Sequence, residues 1–336
     1  MQFGSNSWLG TLLTGLAAAI ATAAILRTLL ATGLAWWLAT DIPNDRSMHT
    51  RPTPRVGGWG IVPVIVAILL ARVPAMWLVA VATLGLAAVS QIDDRRGLPA
   101  RVRFAAHAVA VVALLIVHPG GMPWWALGMI GLLMLWLINL YNFMDGADGL
   151  AGGMALFGFG AYAAAASISS TPSHDLTIAG IAVAGAALGF LTLNFHPAKL
   201  FLGDAGSIPF GFLAGALGYW GWIEKIWPVW LPAMVFAPFI ADASVTLSKR
   251  LLRGERFWEA HREHYYQRMV RLGVGHARTA VYWYAFMLAG SALALGALSL
   301  PSLEQWTLCI VWYGVLACAG LAIDRRWRRI QAAGSE

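Results

Sequence analysis

The chain has 336 residues, of which 59% are hydrophobic and only 12% are charged. Soluble domains are roughly a quarter charged, so this composition excludes an ordinary soluble protein and indicates an integral membrane protein. The formal net charge of +7 does not indicate a nucleic-acid partner, because the basic residues flank apolar segments. Cys309 and Cys318 would lie about 13 Å apart on one helix, which is too far for a disulfide.

Eleven apolar segments approach the length of about 20 residues that a membrane-spanning helix needs. They predict an all-α polytopic membrane protein that forms a single domain over residues 1–336. The first segment has no basic leader and is too long for a cleaved signal, so we expect the N-terminus to be retained. The predicted spans cover 9–38, 56–71, 75–91, 104–118, 124–143, 151–169, 176–194, 206–223, 228–248, 279–299 and 305–323.

Basic residues lie mainly in alternate loops and in the C-terminal tail, which together hold twenty of the 23 Arg and Lys residues. The positive-inside rule therefore predicts that these loops and the C-terminus are cytoplasmic and that the N-terminus is periplasmic. Most of the acidic residues lie in the same loops, so we expect the chemistry at the cytoplasmic face. The five inner loops lie near 41–56, 92–103, 139–153, 195–207 and 249–278.

The second inner loop opens with two adjacent carboxylates, Asp93 and Asp94. Their mutual repulsion implies a cation or a shared proton. Carboxylate oxygens beside phosphates are the ligands that Mg²⁺ prefers. The alternative is that Arg95 and Arg96 neutralise the pair at the surface.

The third inner loop, from Asn139 to Gly153, brings amides and carboxylates between two apolar runs. Carboxylates at such a position are unfavourable unless they hold something positive. The glycines of this loop allow a close approach of the backbone to a ligand, or they let the next helix pack tightly. The candidate residues are Asn139, Asn142, Asp145 and Asp148.

In the fourth inner loop, Asp204 stands between Gly203 and Gly206. A carboxylate in a glycine-flanked turn is suited to hold a metal ion on a defined backbone. The alternative is that Asp204 or Ser207 only caps the helix that follows.

The first inner loop contains three prolines and a Gly pair, which predict an ordered path. Its His49, Arg51 and Arg55 are candidates for binding phosphate, because Arg makes forked contacts with such groups. The alternative is that these residues only set the orientation in the membrane.

The fifth inner loop is long and basic, and it contains His261, Arg262 and His264. An Arg- and His-rich loop that faces an acidic metal site would clamp a diphosphate from two sides. The alternative is a basic helix that lies on anionic lipid. Asp242, inside the preceding span, is a functional candidate or the structural partner of a buried Arg.

These motifs together resemble those of the polyprenyl-phosphate N-acetylhexosamine-1-phosphate transferases, bacterial membrane enzymes that start lipid-linked glycans. The resemblance covers essentially the whole chain and implies eleven spans, cytoplasmic catalytic loops and dependence on Mg²⁺, with Mn²⁺ as a substitute. The matching stretches are Pro43-Asn-Asp-Arg-Ser, Pro52-Thr-Pro-Arg-Val-Gly-Gly, Asp93-Asp94, Asn139–Gly153 and Phe201-Leu-Gly-Asp-Ala-Gly-Ser.

By position, the resemblance implies that Asp93 and Asp94 are the catalytic aspartate pair. It further implies that Asp204, together with Asp94, binds the metal ion. Among the candidate residues, those expected to contact the nucleotide-sugar or its phosphates are Asn139, Asn142, Asp145, Asp148, His49, Arg55, His261 and Arg262.

His264 lies where the family has a histidine-rich loop motif, which implies a catalytic role for this residue. The chain departs from the motif in the next three residues, Tyr265, Tyr266 and Gln267, where many members have further histidines. This departure disfavours the branch that uses muramyl-pentapeptide substrates, and it leaves the sugar open.

The implied reaction is attack of undecaprenyl phosphate on a UDP-N-acetylhexosamine, which releases UMP and starts a cell-surface glycan such as O-antigen. One of the paired aspartates would remove the acceptor's proton, and a phospho-aspartate route is the less favoured version. The lipid would enter through a groove near the ninth span, where Pro228, Pro232 and Pro238 allow a bent helix. We expect a homodimer in the bacterial inner membrane, with its active site facing the cytoplasm.

A transporter or flippase is the competing class, since many spans with intramembrane charge also move substrates. Transporters usually place such charges near the midplane, often at internal repeats. Here the carboxylates cluster at one face and the sequence has no evident repeat, which favours the enzyme.

Overall fold

The computed structural model describes residues 5–43, 49, 51–255 and 261–333, so most of the Pro43–Ser47 motif, together with Arg46 and Arg256, lies outside the described residues. Within them the protein is almost entirely helical. The helices are α1 (Ser5–Ala31), α2 (Leu34–Leu38), α3 (Gly57–Arg72), α4 (Trp77–Arg96), α5 (Ala100–Val117), α6 (Trp124–Phe143), α7 (Leu150–Ile168), α8 (His174–Asn194), α9 (Asp204–Ile223), α10 (Trp230–Val235), α11 (Ala237–Leu252), α12 (Tyr265–Met269), α13 (His276–Ala297) and α14 (Ser302–Ala333).

Each of the eleven predicted spans overlaps at least one of these helices. Among the described residues, eight helices are long and apolar enough to cross a membrane by length and composition. They correspond to α1, α4, α5, α6, α7, α8, α13 and α14, while α3 is apolar but shorter. The protein is therefore a multi-pass membrane protein, and the count of eleven spans and the orientation remain predictions.

The first predicted span, 9–38, is not one helix. α1 ends at Ala31, and Gly33 takes a left-handed conformation with φ 77° before α2 begins. Two short strands follow, β1 (Thr40–Asp41) and β2 (Thr53–Pro54), which pair antiparallel with Thr40 opposite Pro54. The chain therefore leaves the apolar run early, and a small hairpin begins the first inner loop.

The ninth predicted span is also interrupted. α10 ends at Val235, and α11 starts two residues later, with Pro238 in its first turn. Proline lacks the backbone N–H that continues a helix. The helix is thus interrupted at Phe236, within the segment where the prolines allow a bend.

α9 forms the centre of the molecule. It packs against α3, α4 and α6, and its residues from Ala205 to Gly221 are buried. A helix that is apolar on all sides belongs in a core. Asp204, the first residue of α9, consequently lies at the end of the most enclosed helix.

Candidate active site

The first inner loop is joined to the start of α9 by backbone hydrogen bonds. Arg55 forms an isolated parallel bridge with Phe201. The Gly57 N–H donates to the Phe201 carbonyl at 2.9 Å, and the Gly58 N–H donates to the Leu202 carbonyl at 3.1 Å. Two loops that are far apart in sequence are thereby held in one register.

The Gly57-Gly58 pair makes this contact possible. A Cβ at Gly58 would clash with the backbone of Ala205, and one at Gly57 would lie 2.7 Å from Leu202 Cα. Only glycine allows so close an approach of two backbones. The motif predicted an ordered path, and its glycines bring Arg55 beside the start of α9.

Arg55 is surrounded by carboxylates. Its guanidinium lies 2.9 Å from Asp41 Oδ2 and 3.9 Å from Asp94 Oδ1, and His49 Nε2 lies 3.7 Å from the same Asp41 oxygen. The Arg55 side chain is still 40% exposed, so donors remain available for a ligand. Asp41 was not among the predicted site residues.

Asp93 and Asp94 have different surroundings although they are adjacent. Asp93 accepts hydrogen bonds from the Leu98 N–H at 2.6 Å and from Arg103 at 3.1 Å. Asp94 Oδ2 is buried and has no hydrogen-bond partner. Buried polar atoms are nearly always satisfied, so an orphaned carboxylate oxygen indicates a missing ligand. The alternative pairing of these carboxylates with Arg95 and Arg96 is not observed.

Asp145 follows the end of α6 and is half-buried. Its pKa is raised to about 7, chiefly by burial and then by the charge of Asp204, with smaller contributions from Arg55, which lowers it, and from Asp94 and Asp41, which raise it. An ordinary Asp titrates near about 3.9. The carboxylates therefore form a region in which negative charge exceeds the positive charge of Arg55.

Asn142 links α6 to α9. Its Oδ1 accepts a hydrogen bond from Ser207 Oγ at 2.7 Å, and its side chain lies beside Asp204, whose pKa it lowers against the raising effect of burial. No side chain caps the N-terminus of α9, so neither Asp204 nor Ser207 has the alternative capping role. The Asn139 amide donates to the Leu135 carbonyl one turn earlier at 2.7 Å.

Asp148 lies in a separate network. Its Oδ2 is 2.6 Å from His196 Nδ1 and accepts the Ala198 N–H at 3.2 Å, and its Oδ1 is 3.7 Å from His276 Nδ1. Asp148 thus braces the third inner loop against the fourth and against the start of α13. Neither histidine was among the predicted site residues, and both are distant from Asp148 in sequence.

The glycines of the third inner loop face aromatic rings. A Cβ at Gly146 would clash with the Tyr266 hydroxyl, and a Cβ at Gly153 would clash with the Tyr284 ring. The Tyr266 hydroxyl donates to the Phe143 carbonyl at 3.1 Å. These close contacts bring the fifth inner loop and α13 onto the third loop, which supports the packing interpretation of the glycines.

Asp242 anchors the fifth inner loop from within α11. It is 2% exposed, and it accepts the N–H groups of Tyr265 and Tyr266 at 2.9 and 3.1 Å. His264 Nδ1 and the Thr246 hydroxyl each lie 3.2 Å from its Oδ1. The partners of Asp242 are therefore a helix N-terminus and a histidine, not a buried Arg.

The two histidines of the fifth inner loop lie side by side, with ring centroids 4.9 Å apart. His264 is buried, and its ring stacks on that of Phe143. Burial, followed by the charges of His264 and Arg250, lowers the pKa of His261 to about 4, so this ring is neutral at pH 7. Arg262 is half-buried, and its carbonyl lies 3.5 Å from an Arg271 nitrogen.

A cavity of about 680 Å³ leads away from the carboxylates. Asp93, Asn142 and Asp204 contribute polar groups to its lining, as do Arg103 and His107, and apolar side chains of α4, α5 and α6 also line it. Two of these apolar side chains, Phe104 and Leu132, are 52% and 67% exposed. The cavity therefore connects the polar cluster to the outer surface of the helix bundle.

Among the described residues, no three His, Cys, Asp or Glu side chains are grouped closely enough to hold a metal ion by themselves. Mg²⁺ usually binds through one or two carboxylates plus waters and substrate phosphates. The unpartnered Asp94 oxygen and the excess negative charge around Asp145 and Asp204 fit such an ion. The residues present are consistent with a metal that is completed by a ligand.

Comparison with known proteins gives a consistent result. The model of glycosyl transferase family 4 matches residues 76–221, which hold the second, third and fourth inner loops. A decaprenyl-phosphate N-acetylglucosaminephosphotransferase of Mycolicibacterium smegmatis is 30% identical over 88% of this chain and 84% of its own length. A probable undecaprenyl-phosphate N-acetylglucosaminyl 1-phosphate transferase of Bacillus subtilis is 28% identical over 80% and 79%.

A more partial similarity connects the chain to another branch. A phospho-N-acetylmuramoyl-pentapeptide-transferase of Geobacillus kaustophilus is 33% identical, but only over 47% of this chain and 58% of its own length. The chain belongs to glycosyl transferase family 4, the polyprenyl-phosphate N-acetylhexosamine-1-phosphate transferases, which are phosphosugar transferases of the membrane.

Proposed function

We propose that the protein transfers an N-acetylhexosamine-1-phosphate from a UDP-sugar to undecaprenyl phosphate and releases UMP. The names of the relatives from M. smegmatis and B. subtilis support a polyprenyl-phosphate acceptor and make N-acetylglucosamine the first sugar to test. We assign the reaction to the cytoplasmic face of the bacterial inner membrane, where the product would start a lipid-linked glycan such as O-antigen.

The observation that carries this proposal is the carboxylate cluster around a single arginine. The negative charges of Asp94, Asp145 and Asp204 together exceed the positive charge of Arg55. One Asp94 oxygen also has no hydrogen-bond partner. Such a cluster is stabilised by a divalent cation that brings phosphates with it. A nucleotide diphosphate next to a lipid-facing cavity is the substrate chemistry that this arrangement favours.

We assign Asp204 and Asp94 as the residues that would hold Mg²⁺, with Mn²⁺ as a substitute. When bound, the ion would neutralise the charge of the diphosphate and polarise the transferred phosphoryl group. Arg55 would contact phosphate oxygens from the other side, with His49 close to it. Asn142, beside Asp204, favours the charged form of that carboxylate.

The protein's part in the reaction is positioning. An oxygen of undecaprenyl phosphate forms a bond to the sugar-linked phosphorus, and the bond from that phosphorus to the UMP oxygen breaks in line with it. UMP leaves with the electron pair. We assign the acceptor's proton to Asp93, because this residue lines the lipid-facing cavity beside Arg103. Arg103 would hold the acceptor phosphate.

We propose that the acceptor lipid arrives through the cavity between α4, α5 and α6. The sequence led us to expect a groove near the ninth span, and only Leu247 of α11 borders this cavity. A separate groove does lie against α11, but none of the carboxylates of the cluster lines it. The cavity that contains Asp93 and Asp204 is therefore the better route for the phosphate.

The fifth inner loop would close the site over the nucleotide-sugar. Asp242 holds the loop through two backbone N–H groups, and this places His264 against Phe143 at the end of α6. We assign His264, with neutral His261 and Arg262, to contacts with the diphosphate and the sugar. Asp242 is a positioning residue in this scheme, since it acts through the loop.

The test is to incubate the purified protein with undecaprenyl phosphate, Mg²⁺ and a panel of UDP-N-acetylhexosamines, and to measure UMP and glycolipid. We expect equimolar UMP and glycolipid with at least one sugar. A panel member should be UDP-N-acetylmuramoyl-pentapeptide, because product from it alone would move the protein to the muramyl branch. If no sugar gives product and one of them is transported saturably, the protein is a transporter and not a transferase.

A further inference from the structure

An apolar groove of about 480 Å³ lies between α11, α13 and α14. Val245, Phe286 and Ala317 contribute to its wall from the three helices. Asp242 lies at one end, but its oxygens are occupied by the fifth inner loop. A hydrogen bond of 3.2 Å between Trp136 and Ser244 holds α6 against α11, between this groove and the cavity of the active site.

The groove continues into basic clefts. Lys249 and Leu321 line both the groove and a cleft of about 810 Å³ that also contains Arg271 and Arg328. On the other side, Tyr282 is shared with a cleft of about 440 Å³. Arg278 and Arg326 line this second cleft. An apolar channel with cations at its mouth suits an anionic amphiphile, whose apolar tail would lie in the channel and whose headgroup would contact the cations.

Some of these cations are already neutralised. Lys249 and Arg268 both pair with the buried Asp324 of α14, and Arg253 pairs with Glu255 and Glu263.

Other cations at the mouth have no such partner. Within the described ranges, no carboxylate lies within ion-pair distance of Arg271, Arg278, Arg326 or Arg328. Arg271 instead lies over the Trp327 ring, 4.8 Å from its centroid. These four arginines give the mouth of the groove an excess of positive charge that is available to a ligand.

We propose that this groove binds an anionic diacyl phospholipid of the surrounding bilayer. An acyl chain would lie between α11 and α14, and the phosphate of the headgroup would lie against Arg271 and Arg328. Charge complementarity selects an anionic headgroup over a zwitterionic one, since each basic residue near an anionic surface contributes about fivefold to binding. The acceptor lipid is a different occupant, because the carboxylates of the active site are absent from this groove.

The bound lipid would stabilise the fifth inner loop. Arg268 and Tyr265 belong to α12 and contact Asp324 of α14. His264 directly precedes α12 and lies in the proposed active site. A lipid that joins Arg271 to Arg328 therefore holds the end of α14 against the loop. This consequence for turnover rests on the proposed function, whereas the binding of lipid does not.

The binding test uses native mass spectrometry of the purified full-length protein mixed with equal amounts of phosphatidylglycerol and phosphatidylcholine. We expect at least tenfold preferential retention of phosphatidylglycerol, and a loss of most of that preference in the double variant Arg271→Gln/Arg328→Gln, since two residues at about fivefold each contribute about twenty-fivefold. The matched control is Arg325→Gln/Arg329→Gln, which removes the same charge from α14 at positions that line neither cleft. Equal retention of both lipids, or an equal loss in the control, would overturn the proposal.

The apolar half of the site has its own pair of variants. Ala317→Phe would fill the groove and should reduce retention of phosphatidylglycerol, whereas Cys318→Phe, at the next and exposed position outside the groove, should not. Undecaprenyl phosphate should not displace the bound phosphatidylglycerol when it is added at equal concentration. One-for-one displacement would make the groove a site for the acceptor's tail and would refute the assignment to a phospholipid. No nucleotide-sugar is present, so failure here is distinct from failure of the transferase assignment.

Discussion

The carboxylates at the inner ends of the helices fall into two groups that differ in how completely the protein satisfies them. Asp94, Asp145 and Asp204 share one arginine and repel one another. Asp148 and Asp242, in contrast, have every near contact supplied by histidines, backbone N–H groups or a hydroxyl. The first group is arranged to bind an added cation or ligand, and the second group holds the loops in place.

The same difference separates the two members of each pair of aspartates, although the members look equivalent in the sequence. In each of the pairs Asp93/Asp94 and Asp145/Asp148, one member accepts hydrogen bonds from nearby residues and the other faces the cluster. Asp93 differs from Asp148 because it also lines the lipid-facing cavity, where its proposed role in catalysis lies. A fully satisfied carboxylate contributes to stability, while an incompletely satisfied one costs stability and is retained for function. Substitution within each group should therefore give opposite effects on folding and on activity.

The largest effect is expected at Asp204. Asp204→Asn removes a charge from the proposed metal site, so turnover should fall about a thousandfold or more, in the range known for lost electrostatic stabilisation. The melting temperature should stay the same or rise, because a repulsive carboxylate is gone. Steady-state UMP release and thermal unfolding of the detergent-solubilised protein measure the two effects.

A further readout separates metal binding from chemistry at the same residue. Mg²⁺ should raise the melting temperature of the wild-type protein, since a ligand of the folded state stabilises it. It should leave Asp204→Asn unchanged. A variant that turns over at a near wild-type rate with Mg²⁺ would show that Asp204 is not a ligand.

The second effect concerns the anchor of the fifth inner loop. Asp242→Ala leaves two buried N–H groups without an acceptor, each of which costs about 1–3 kcal/mol, so the melting temperature should fall. Displacement of His264 should reduce kcat about a hundredfold. Asp242→Asn keeps one acceptor and should recover part of both losses. Asp175→Ala, in the first turn of α8, is the control and should be neutral.

Asp148 provides the sharpest test of the two groups, because its neighbour Asp145 belongs to the other one. Asp148→Asn weakens the contacts with His196 and should lower kcat by about tenfold through the position of the third loop. The Mg²⁺ concentration that gives half-maximal activity should not change. If that concentration rises as much as it does in Asp145→Asn, then the division between the groups is wrong.

The smallest effect is a dependence of stability on pH that arises from His261. Burial, then the charges of His264 and Arg250, lower its folded-state pKa to about 4, while an unfolded His titrates near about 6.5. The unfolded chain therefore binds more protons between these values, so stability rises with pH from about 4 to about 6.5 and is flat above. His261→Asn should flatten this part of the curve of melting temperature against pH. An unchanged slope would show that another group is responsible.

The helices and the site loops could be predicted because their signals are local. Apolar length gives the spans, as for 124–143, which coincides with α6. Gly57-Gly58 and the turn before Asp204 mark close backbone approaches that only glycine tolerates. The alternation of basic residues predicts that the five loops share one face, and this orientation stays a prediction.

The division of the carboxylates could not be predicted, because it depends on contacts between distant segments. His196 and His276 reach Asp148 across 48 and 128 residues. Asp93 is satisfied by Arg103, which α5 presents only after the chain has turned at Gly97. Asp93 and Asp94 are identical neighbours that differ only in the direction in which they leave α4. Tertiary packing decides which residues each of them contacts.

The backbone bonds between the first and fourth inner loops have a consequence for the bilayer. Membrane helices tilt when the thickness of the hydrocarbon region changes. Arg55 and Phe201 are tied to each other at the ends of α3 and α9, so a change of tilt carries both loops together. We therefore expect the distance between Arg55 and Asp204 to depend little on bilayer thickness, and activity to tolerate lipids of different chain length.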